Sequence, residues 1–422
     1  MVCESPTAAE PRWVMLYAYG HCGDDSVAAD AMTAAESRTS SGRRFRVSVA
    51  VAAPPACSFL CLDLVGGTVS AAENESYHST LIAAHGDTVL FKVAYAYGRS
   101  RRDDYFVYRA GGASLPPSLS LLPAGRRLKL EDTGVLRRGG DELLVAQLDV
   151  SFYQEPRDTA ELSLLRLGDG GGGGGGWEIK AAVPIVHGDG GKGGGAGLPD
   201  WWDSVAAIPV GDRYLCWVNY YHGGFLLYDT AASPPTLRYV RLPTVALHDA
   251  DDEEEEDGYS SCGSDHDKPN LKCSRNMCAA GASAVRYVSV DPRCCCGGHG
   301  RSSCRRSRFA FTVTTWTLTL RTTGGDEPIT WVRDGVLDCE ELWALPEYGG
   351  VRRVPLEYPV VSSDDPDLVC FVVRNDYRNC RRENKVWTVE VNTRSKRIRS
   401  VLPCNREPCT VVDPRIPAKL LY

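Results

Sequence analysis

The fold of this chain is constrained most by residues 201–230, WWDSVAAIPVGDRYLCWVNYYHGGFLLYDT. This stretch holds two strand-like runs, residues 213–220 and residues 223–230, with His222 between them. Two β-prone runs joined by a few residues that include glycine predict a tight hairpin.

Both faces of this hairpin are apolar. Successive side chains of a strand point to opposite sides, so the first run has two sets of side chains. One face carries Tyr214, Cys216, Val218 and Tyr220, and the other carries Leu215, Trp217 and Asn219. A hairpin that is apolar on both faces has to be covered on both, so we predict a place in the middle of a larger β structure.

The rest of the chain reads as short strands separated by turn residues. Val47, Val49 and Val51, for example, repeat with the period of two that a half-buried strand shows. The predicted strands outside the hairpin are residues 12–19, 44–53, 57–65, 88–97, 104–109, 142–150, 160–167, 177–186, 237–242, 284–290, 309–321, 329–333, 341–345, 351–356, 368–374, 386–391 and 397–402. Residues 26–36 are the one stretch for which we predict a turn or two of helix.

So many strands exceed what one open sheet holds, because sheets of more than about ten strands split or close. No linker of the kind that separates independent domains divides the chain. We therefore predict an all-β fold, a single β-propeller-like domain over residues 12–422 with about six four-stranded blades. Five or seven blades are the alternatives. Closure of such a ring predicts that the first and last strands share a blade and that the two chain ends lie close together.

Several segments interrupt the strand series with a different composition. Residues 168–176, 188–200 and 247–282 are predicted to be low-complexity or disordered insertions, and residues 292–307 a loop rich in cysteine and arginine. A phosphate-binding loop would need Ser or Thr after its Gly-Lys pair, whereas Lys192 is followed by glycine.

Charge and cysteine usage limit the classes of partner and compartment. The net charge of −7 does not favour nucleic acid, whose phosphates are bound by basic surfaces. We see no signal peptide and no apolar run of the roughly 20 residues that a membrane span requires. The 17 cysteines are therefore expected to be mostly reduced. These features predict a protein of the cytoplasm or nucleus that binds another protein, with no nucleic acid or membrane as a partner.

Apolar strand patterns along nearly the whole chain carry a family resemblance. They are SSGRRFRVSVAVAAPPACSFLCL, AAHGDTVLFKVAY, RYLCWVNYYHGGFLLYDTAASPPTLRYVRLP, FTVTTWTL and LVCFVVRND followed by KVWTVEVNTRSKRIRSV. In these runs the chain resembles the plant, grass-expanded family built on domain of unknown function 1618. The resemblance implies a β-propeller-like fold similar to F-box-associated and kelch-type modules, and it implies no catalytic residue.

A cluster of thiols is the most conspicuous candidate for chemistry. Its members are Cys262, Cys273, Cys278, Cys294, Cys295, Cys296 and Cys304, with His266 and His299 among them. The Cys-x₂-Cys pairs that pre-organise a zinc site are absent, and Cys296 with His299 is the one pair with ligand spacing. We predict no metal and no cofactor, and zinc binding or thiol oxidation in this segment are the alternatives.

Other candidate residues have simpler interpretations. His85 and the pair Asp364–Asp365 are expected in turns, and Trp201–Trp202 are expected to pack into the hairpin. Residues 281–285 miss the GxSxG pattern of a nucleophile elbow by one position. The basic runs 301–308 and 378–382 lack the aromatic residues that stack on single-stranded nucleic acid.

These observations predict a non-catalytic protein-interaction module that binds its partner on the loop-lined face of a propeller. An enzyme with its active site at the propeller channel is the first alternative, and it rests on fold analogy. A zinc-binding or redox-sensitive protein acting through the Cys-rich loop is the second.

The glycine run gives a test of the predicted insertions. Deletion of residues 169–175 is expected to change the free energy of unfolding by less than about 1 kcal/mol, because loop-closure entropy varies slowly with length. Chemical denaturation of the deleted and intact chains measures this difference. A much larger loss would show that the segment packs on the core.

Overall fold

The structure is a computed structural model of the 422-residue chain. The residues that it describes are 13–22, 30–65, 77–97, 100–112, 115–139, 142–150, 158–168, 176–187, 202–243, 271–294, 309–320, 330–374, 385–404 and 416–420.

Nearly all regular structure in these residues is β. The first strands are β1 (Val14–Leu16), β2 (His21–Cys22), β3 (Asp30–Arg38), β4 (Arg44–Ala50), β5 (Cys57–Leu64), β6 (His78–His85), β7 (Thr88–Tyr97), β8 (Ser100–Arg109) and β9 (Ser118–Leu121). The next are β10 (Thr133–Arg137), β11 (Leu143–Asp149), β12 (Thr159–Leu167), β13 (Glu178–His187), β14 (Ala206–Val210), β15 (Tyr214–Asn219), β16 (Gly224–Asp229) and β17 (Leu237–Arg241). The last are β18 (Arg275–Ala279), β19 (Ala284–Pro292), β20 (Phe311–Thr319), β21 (Val332–Asp338), β22 (Glu357–Val361), β23 (Leu368–Arg374), β24 (Val386–Asn392), β25 (Arg397–Cys404) and β26 (Ile416–Ala418). One α-helix, α1 (Cys339–Trp343), and the 3-10 helices Leu271–Cys273 and Pro346–Tyr348 complete the regular structure of the described chain.

These strands form six groups that we call units 1 to 6. Unit 1 has the order β26-β1-β5-β4-β3, with β2 also paired to β5. Units 2 to 6 are each four consecutive antiparallel strands, β6–β9, β10–β13, β14–β17, β18–β21 and β22–β25. Units 3 and 4 make one eight-stranded sheet, because the end of β13 pairs in parallel with β17, Ile185 opposite Leu237.

Neighbouring units are joined by clusters of buried apolar side chains. Members of these clusters from the two sides are Phe45 and Phe106 between units 1 and 2, Leu90 and Val145 between units 2 and 3, Leu144 and Trp217 between units 3 and 4, Tyr220 and Tyr287 between units 4 and 5, Val290 and Phe371 between units 5 and 6, and Met15 and Val360 between units 6 and 1. The strands β6, β10, β14, β18, β22 and β26 contact one another in a closed cycle. The fold is therefore all-β and propeller-like.

The two ends of the chain close the cycle. Strand β26 pairs with β1 in antiparallel orientation, with Met15 opposite Pro417. Beyond it, the backbone N–H of Lys419 donates to the carbonyl of Gly86 at 2.8 Å, which fixes the end of unit 1 against unit 2. The first and last strands share a sheet, as expected, but the last strand is β26, whereas the last predicted strand, residues 397–402, lies in β25 of unit 6.

The central hairpin also agrees with its prediction. Strands β15 and β16 pair from Tyr214 opposite Asp229 to Asn219 opposite Gly224. One face of β15 belongs to the core between units 4 and 5, and the other to the core between units 3 and 4. Its turn needs Gly223, which has φ of +61°.

Two local predictions are wrong because tertiary contacts or capping outweigh the local pattern. Residues 26–36 are not helical where the structure describes them, since β3 covers Asp30–Arg38 and the Thr33 hydroxyl accepts from the Val49 N–H at 2.7 Å. Residues 341–345 do not form a strand. Asp338 and Glu341 instead make a reciprocal capping box that starts α1.

Two further predictions of secondary structure are wrong. Residues 351–356 contain no strand, although Val351, Val354 and Leu356 are buried in the core between units 5 and 6. The insertion predicted over 247–282 is wrong for its last part, because β18 lies there and buries Met277 and Cys278. Residues 169–175, 188–200, 244–270 and 295–307 lie outside the described residues.

Closure of the cycle can be tested at Ala418, which is 2% exposed. We expect Ala418→Asp to lower the free energy of unfolding by about 3 kcal/mol or more, because it buries an unpaired carboxylate. Met32→Asp is the control, since Met32 lies on β3 with 74% of its surface exposed and should change stability by less than about 0.5 kcal/mol. Equal midpoints of thermal unfolding for the two variants would show that β26 contributes nothing to the fold.

Candidate functional site

The units define two ends of the ring. Four antiparallel strands return the chain to the end at which it entered a unit, so β6, β10, β14, β18 and β22 all begin at the same end. We call this end the loop face, because the connections between units and those between second and third strands lie there. The other end is called the opposite face.

A pocket of about 900 Å³ opens at the outer edge of unit 2 toward the loop face. It lies beyond the end of β9, where residues 100–104 of β8 pair with no further strand of the described residues. Its lining comes from β7, β8, the turn after β3 and the connection from β9 to β10. The residues that line it are Ser40, Lys92, Arg101, Arg102, Asp103, Asp104, Tyr105, Leu121, Leu122, Pro123, Ala124, Gly125, Arg126 and Arg127.

A buried carboxylate fixes one wall of the pocket. Asp104 is 7% exposed, and its Oδ2 accepts from the Tyr95 hydroxyl at 2.9 Å and from the Ser40 N–H at 2.7 Å. These two hydrogen bonds join β7 and β8 to the turn after β3, so units 1 and 2 hold this wall together. Because its acceptor sites are engaged by these donors, Asp104 has a structural role here.

A tyrosine fixes the other wall. The Tyr105 hydroxyl accepts from the Leu128 N–H at 3.0 Å, and this hydrogen bond ties the connection that carries Arg126 and Arg127 to β8. Burial raises the pKa of Tyr105 above its ordinary value, so its hydroxyl stays neutral at physiological pH.

The charge of the lining is positive in a chain of net negative charge. Five basic and two acidic side chains line the pocket, whereas the whole chain carries −7. Asp103 lies 3.9 Å from Lys92, and Arg126 pairs with Glu161 at 2.8 Å. Arg101 and Arg127 are exposed and have no carboxylate partner in the part of the chain that the structure describes. Such a lining fits an anionic group, since guanidinium donors match carboxylate and phosphate oxygens.

The opposite face carries a second charged group around His85. The histidine ends β6, and its Nδ1 accepts from the Arg137 N–H at 2.9 Å. Desolvation, together with Arg137, lowers the pKa of His85 to about 4. Its imidazole is therefore neutral at pH 7, and one of its nitrogens already has a partner. This agrees with the prediction of a turn histidine, because Gly86 and Asp87 form a tight turn to β7.

The structure separates the members of the cysteine cluster that it describes. Cys278 lies in β18 and is buried in the core between units 5 and 6. Cys273 donates to the Tyr358 hydroxyl at 2.7 Å, and Cys294 follows β19. The other six members, Cys262, Cys295, Cys296, Cys304, His266 and His299, lie outside the described residues. Within those residues no three His, Cys, Asp or Glu side chains are placed to hold a metal ion, and the absence of a metal site in this cluster stays a prediction.

The remaining candidate residues that the structure describes pack in the core or form turns. Trp202 is buried and packs in the core between units 3 and 4, as expected, and Trp201 is not among the described residues. Asp364 and Asp365 lie in the turn from β22 to β23, where their N–H groups donate to the Ser362 hydroxyl. The basic runs 301–308 and 378–382 also fall outside the described part of the chain.

Sequence reasoning missed the pocket although part of its signal is local. The run SRRDDYF places two basic and two acidic residues at the start of β8, ahead of the apolar residues that we predicted as a strand. Arg126 and Arg127 come from a separate segment, which the hydrogen bonds of Leu122 and Leu128 to Tyr105 bring to β8. A polar start to an otherwise buried strand was the one available signal.

A protein-family model matches part of the chain. The model of a protein family of unknown function, DUF1618, matches residues 217–370. This match supports the resemblance of the chain to the DUF1618 family. The match begins in β15 and ends in β23, so it spans the central hairpin, unit 5 and the first half of unit 6. No curated protein matches the chain.

Solved structures give distant likenesses. The WD40 domain of SCAP from fission yeast has a TM-score of 0.33 and 7% identity, covering 97% of this chain and 91% of that one. A polysaccharide lyase of family PL25, an ulvan lyase, has a TM-score of 0.20 and 11% identity over 96% of this chain and 72% of its own. An α-L-arabinanase of Penicillium chrysogenum has a TM-score of 0.20 and 9% identity over 78% and 99%. At these scores the likenesses support no conclusion about fold or function. Separately, none of the helices in the described ranges is long and apolar enough to cross a membrane.

The pKa of His85 predicts a pH dependence of stability. Because the folded pKa of about 4 lies below the ordinary 6.5, the unfolded chain binds a proton first as the pH falls. Stability present above pH 6.5 is therefore lost between pH 6.5 and 4, by up to about 3 kcal/mol. His85→Asn keeps an acceptor near the Nδ1 position without titrating, so its unfolding free energy should fall less over this range. The control is His78→Asn at the exposed start of the same strand, which should retain the wild-type profile.

Proposed function

We propose that this chain is a non-catalytic protein-interaction module, a six-bladed β-propeller over residues 12–422 that binds a protein partner on its loop face. The six units with their shared cores support the blade number. The family match is compatible with such a module, and it names no reaction. Plant origin, and likeness to F-box-associated and kelch-type modules, stay predictions.

The position of the exposed aromatic side chains carries the proposal. Among the described residues, three exposed aromatics stand out, Tyr19 at 46%, Tyr221 at 37% and Phe309 at 41% exposed. Tyr19 lies beside the start of β6, Tyr221 in the turn from β15 to β16, and Phe309 just before β20. All three positions are at the loop face. Aromatic residues are enriched in the buried centres of protein interfaces, so their exposure at one end favours that end as the binding surface.

The alternatives lack an observation of comparable weight. The opposite face holds His85 beside charged residues, but its Nδ1 acceptor is engaged by a backbone amide. An enzyme at the channel would need convergent groups that act on a substrate, and His85 alone does not supply them. The cysteines Cys273 and Cys278, which belong to the proposed redox-sensitive segment, have raised thiol pKa values because of burial, and this opposes thiolate formation.

The experiment compares two sets of surface variants in affinity purification from the native tissue, with quantitative mass spectrometry. We expect Tyr19→Ser, Tyr221→Ser and Phe309→Ser together to reduce recovery of the specific partner by about tenfold or more, the effect of losing one or two interface anchors. The matched control carries Val51→Ser, Leu115→Ser and Val332→Ser, three exposed apolar residues toward the opposite face. It should recover the partner as the wild type does.

Circular dichroism shows that both variants are folded before they are compared. Equal recovery from the two variants would contradict binding on the loop face. If the wild-type chain enriches no protein over a tag-only sample, the interaction module itself is rejected.

A further inference from the structure

The main-chain edge of β8 is open inside the basic pocket. Strand β9 pairs with β8 only from Phe106 to Arg109, and the Leu122 N–H donates to the carbonyl of Tyr105 at 2.8 Å. Toward the loop face, Ser100 to Asp104 pair with β7 on one side and with no strand of the described residues on the other. This uncovered edge is about 14 Å long at the usual rise of an antiparallel strand.

Alternation of the backbone tells which groups face the pocket. In an antiparallel pair, every second residue of a strand directs both its N–H and its C=O to the same neighbour. Tyr105 uses its carbonyl toward the segment after β9, so Arg101 and Asp103 direct their main-chain groups to that same side. These groups offer a template for one more short strand.

The side chains around this edge favour an added strand of negative charge. Arg101 lies on the face of β8 that also bears Tyr105, near Arg126 and Arg127, and Arg102 lies on the other face. Arginines therefore predominate on the face of Arg101, where the carboxylate of Asp103 lies 3.9 Å from Lys92.

We propose that the open edge of β8 binds an extended acidic segment of a partner protein, which adds a short antiparallel or parallel strand beside Ser100–Asp104. The inference rests on the proposed function, because it gives a chemistry to the partner of the interaction module. Main-chain hydrogen bonds to Arg101 and Asp103 set the position of the segment. Its carboxylates pair with Arg101 and Arg127, and the apolar rim formed by Leu121 and Pro123 accommodates a neighbouring apolar side chain.

The probe is an array of acidic octapeptides that combine Glu and Asp with Val, Thr and Tyr, together with the same array in which Lys replaces the acidic residues. The tightest acidic peptide is then titrated by fluorescence anisotropy against the folded full-length chain. We expect acidic peptides alone to bind, and their affinity to fall as the salt concentration rises. If no acidic peptide binds more tightly than its basic counterpart, the proposal is wrong.

Charge variants locate the site. Arg101→Glu with Arg127→Glu should weaken binding by about tenfold, since both side chains are exposed and would now repel the peptide. The matched control is Arg352→Glu with Arg353→Glu, two exposed arginines before β22 that give the same change in net charge. An equal loss in the two variants would show a general effect of net charge and overturn the assignment to this pocket.

N-methylated peptides separate strand addition from simple attraction between charges. Methylation of alternate main-chain nitrogens removes either the N–H groups that face β8 or those that face away. We expect binding to be lost when the methylated nitrogens are those that face β8, and to be retained when they are those that face away. Equal binding of the two sets of methylated peptides would mean that the pocket is an anion site without strand addition. Full displacement of the peptide by tripolyphosphate of equal charge would mean the same.

The outcome is independent of the test of the module itself. If the aromatic variant loses its partner in tissue and the Arg101 and Arg127 variant retains it, the interaction module stands and the acidic-segment proposal fails. If both lose it, both stand.

Discussion

Each sheet of this protein has two apolar faces, and the rest of the structure follows from the need to cover both. Strand β15 shows the constraint most clearly, because Cys216 packs toward unit 5 while Trp217 packs toward unit 3, and both are fully buried. A stack of two-faced sheets leaves an apolar face uncovered at each end unless it bends back on itself. The core that Met15 and Val360 share between units 6 and 1 removes those two ends.

Closure also makes the outer edges of the units the places where strand pairing is left incomplete. The edges of units 3 and 4 cover each other through the parallel pairing of β13 with β17. In unit 2 the short β9 stops at Leu121, and the pocket lies beyond its end. The pocket is therefore a consequence of one strand being shorter than its neighbour, and arginines line it.

Polar contacts between units add to the apolar cores, and two of them carry buried charge to the places where units meet. Asp104 joins β8 to the turn after β3 through Ser40, and the 3% exposed Arg286 bridges Asp334 of unit 5 and Asp367 of unit 6. Both carry charge into positions that are largely closed to water, where an unpaired charge would be costly. These contacts hold neighbouring units together at the positions where the charged side chains meet.

The sequence by itself determined the all-β fold class and the two-faced central hairpin, because these depend on a period of two and on a glycine turn that are local to the chain. The sharing of a sheet by the first and last strands was expected from closure of a ring, and β26, which pairs with β1, was not among the predicted strands. Strands β10 and β14 escaped notice because TGVLR and AAIPV are short and contain glycine or proline. Burial against neighbouring units forms them. The capping box of α1 overrode an apolar strand pattern, and β18 was concealed in a segment of low complexity. Only the tertiary structure decided the pocket, because Arg101 and Arg127 are distant in sequence and line one pocket through the hydrogen bonds of Leu122 and Leu128 to Tyr105, which no local pattern encodes.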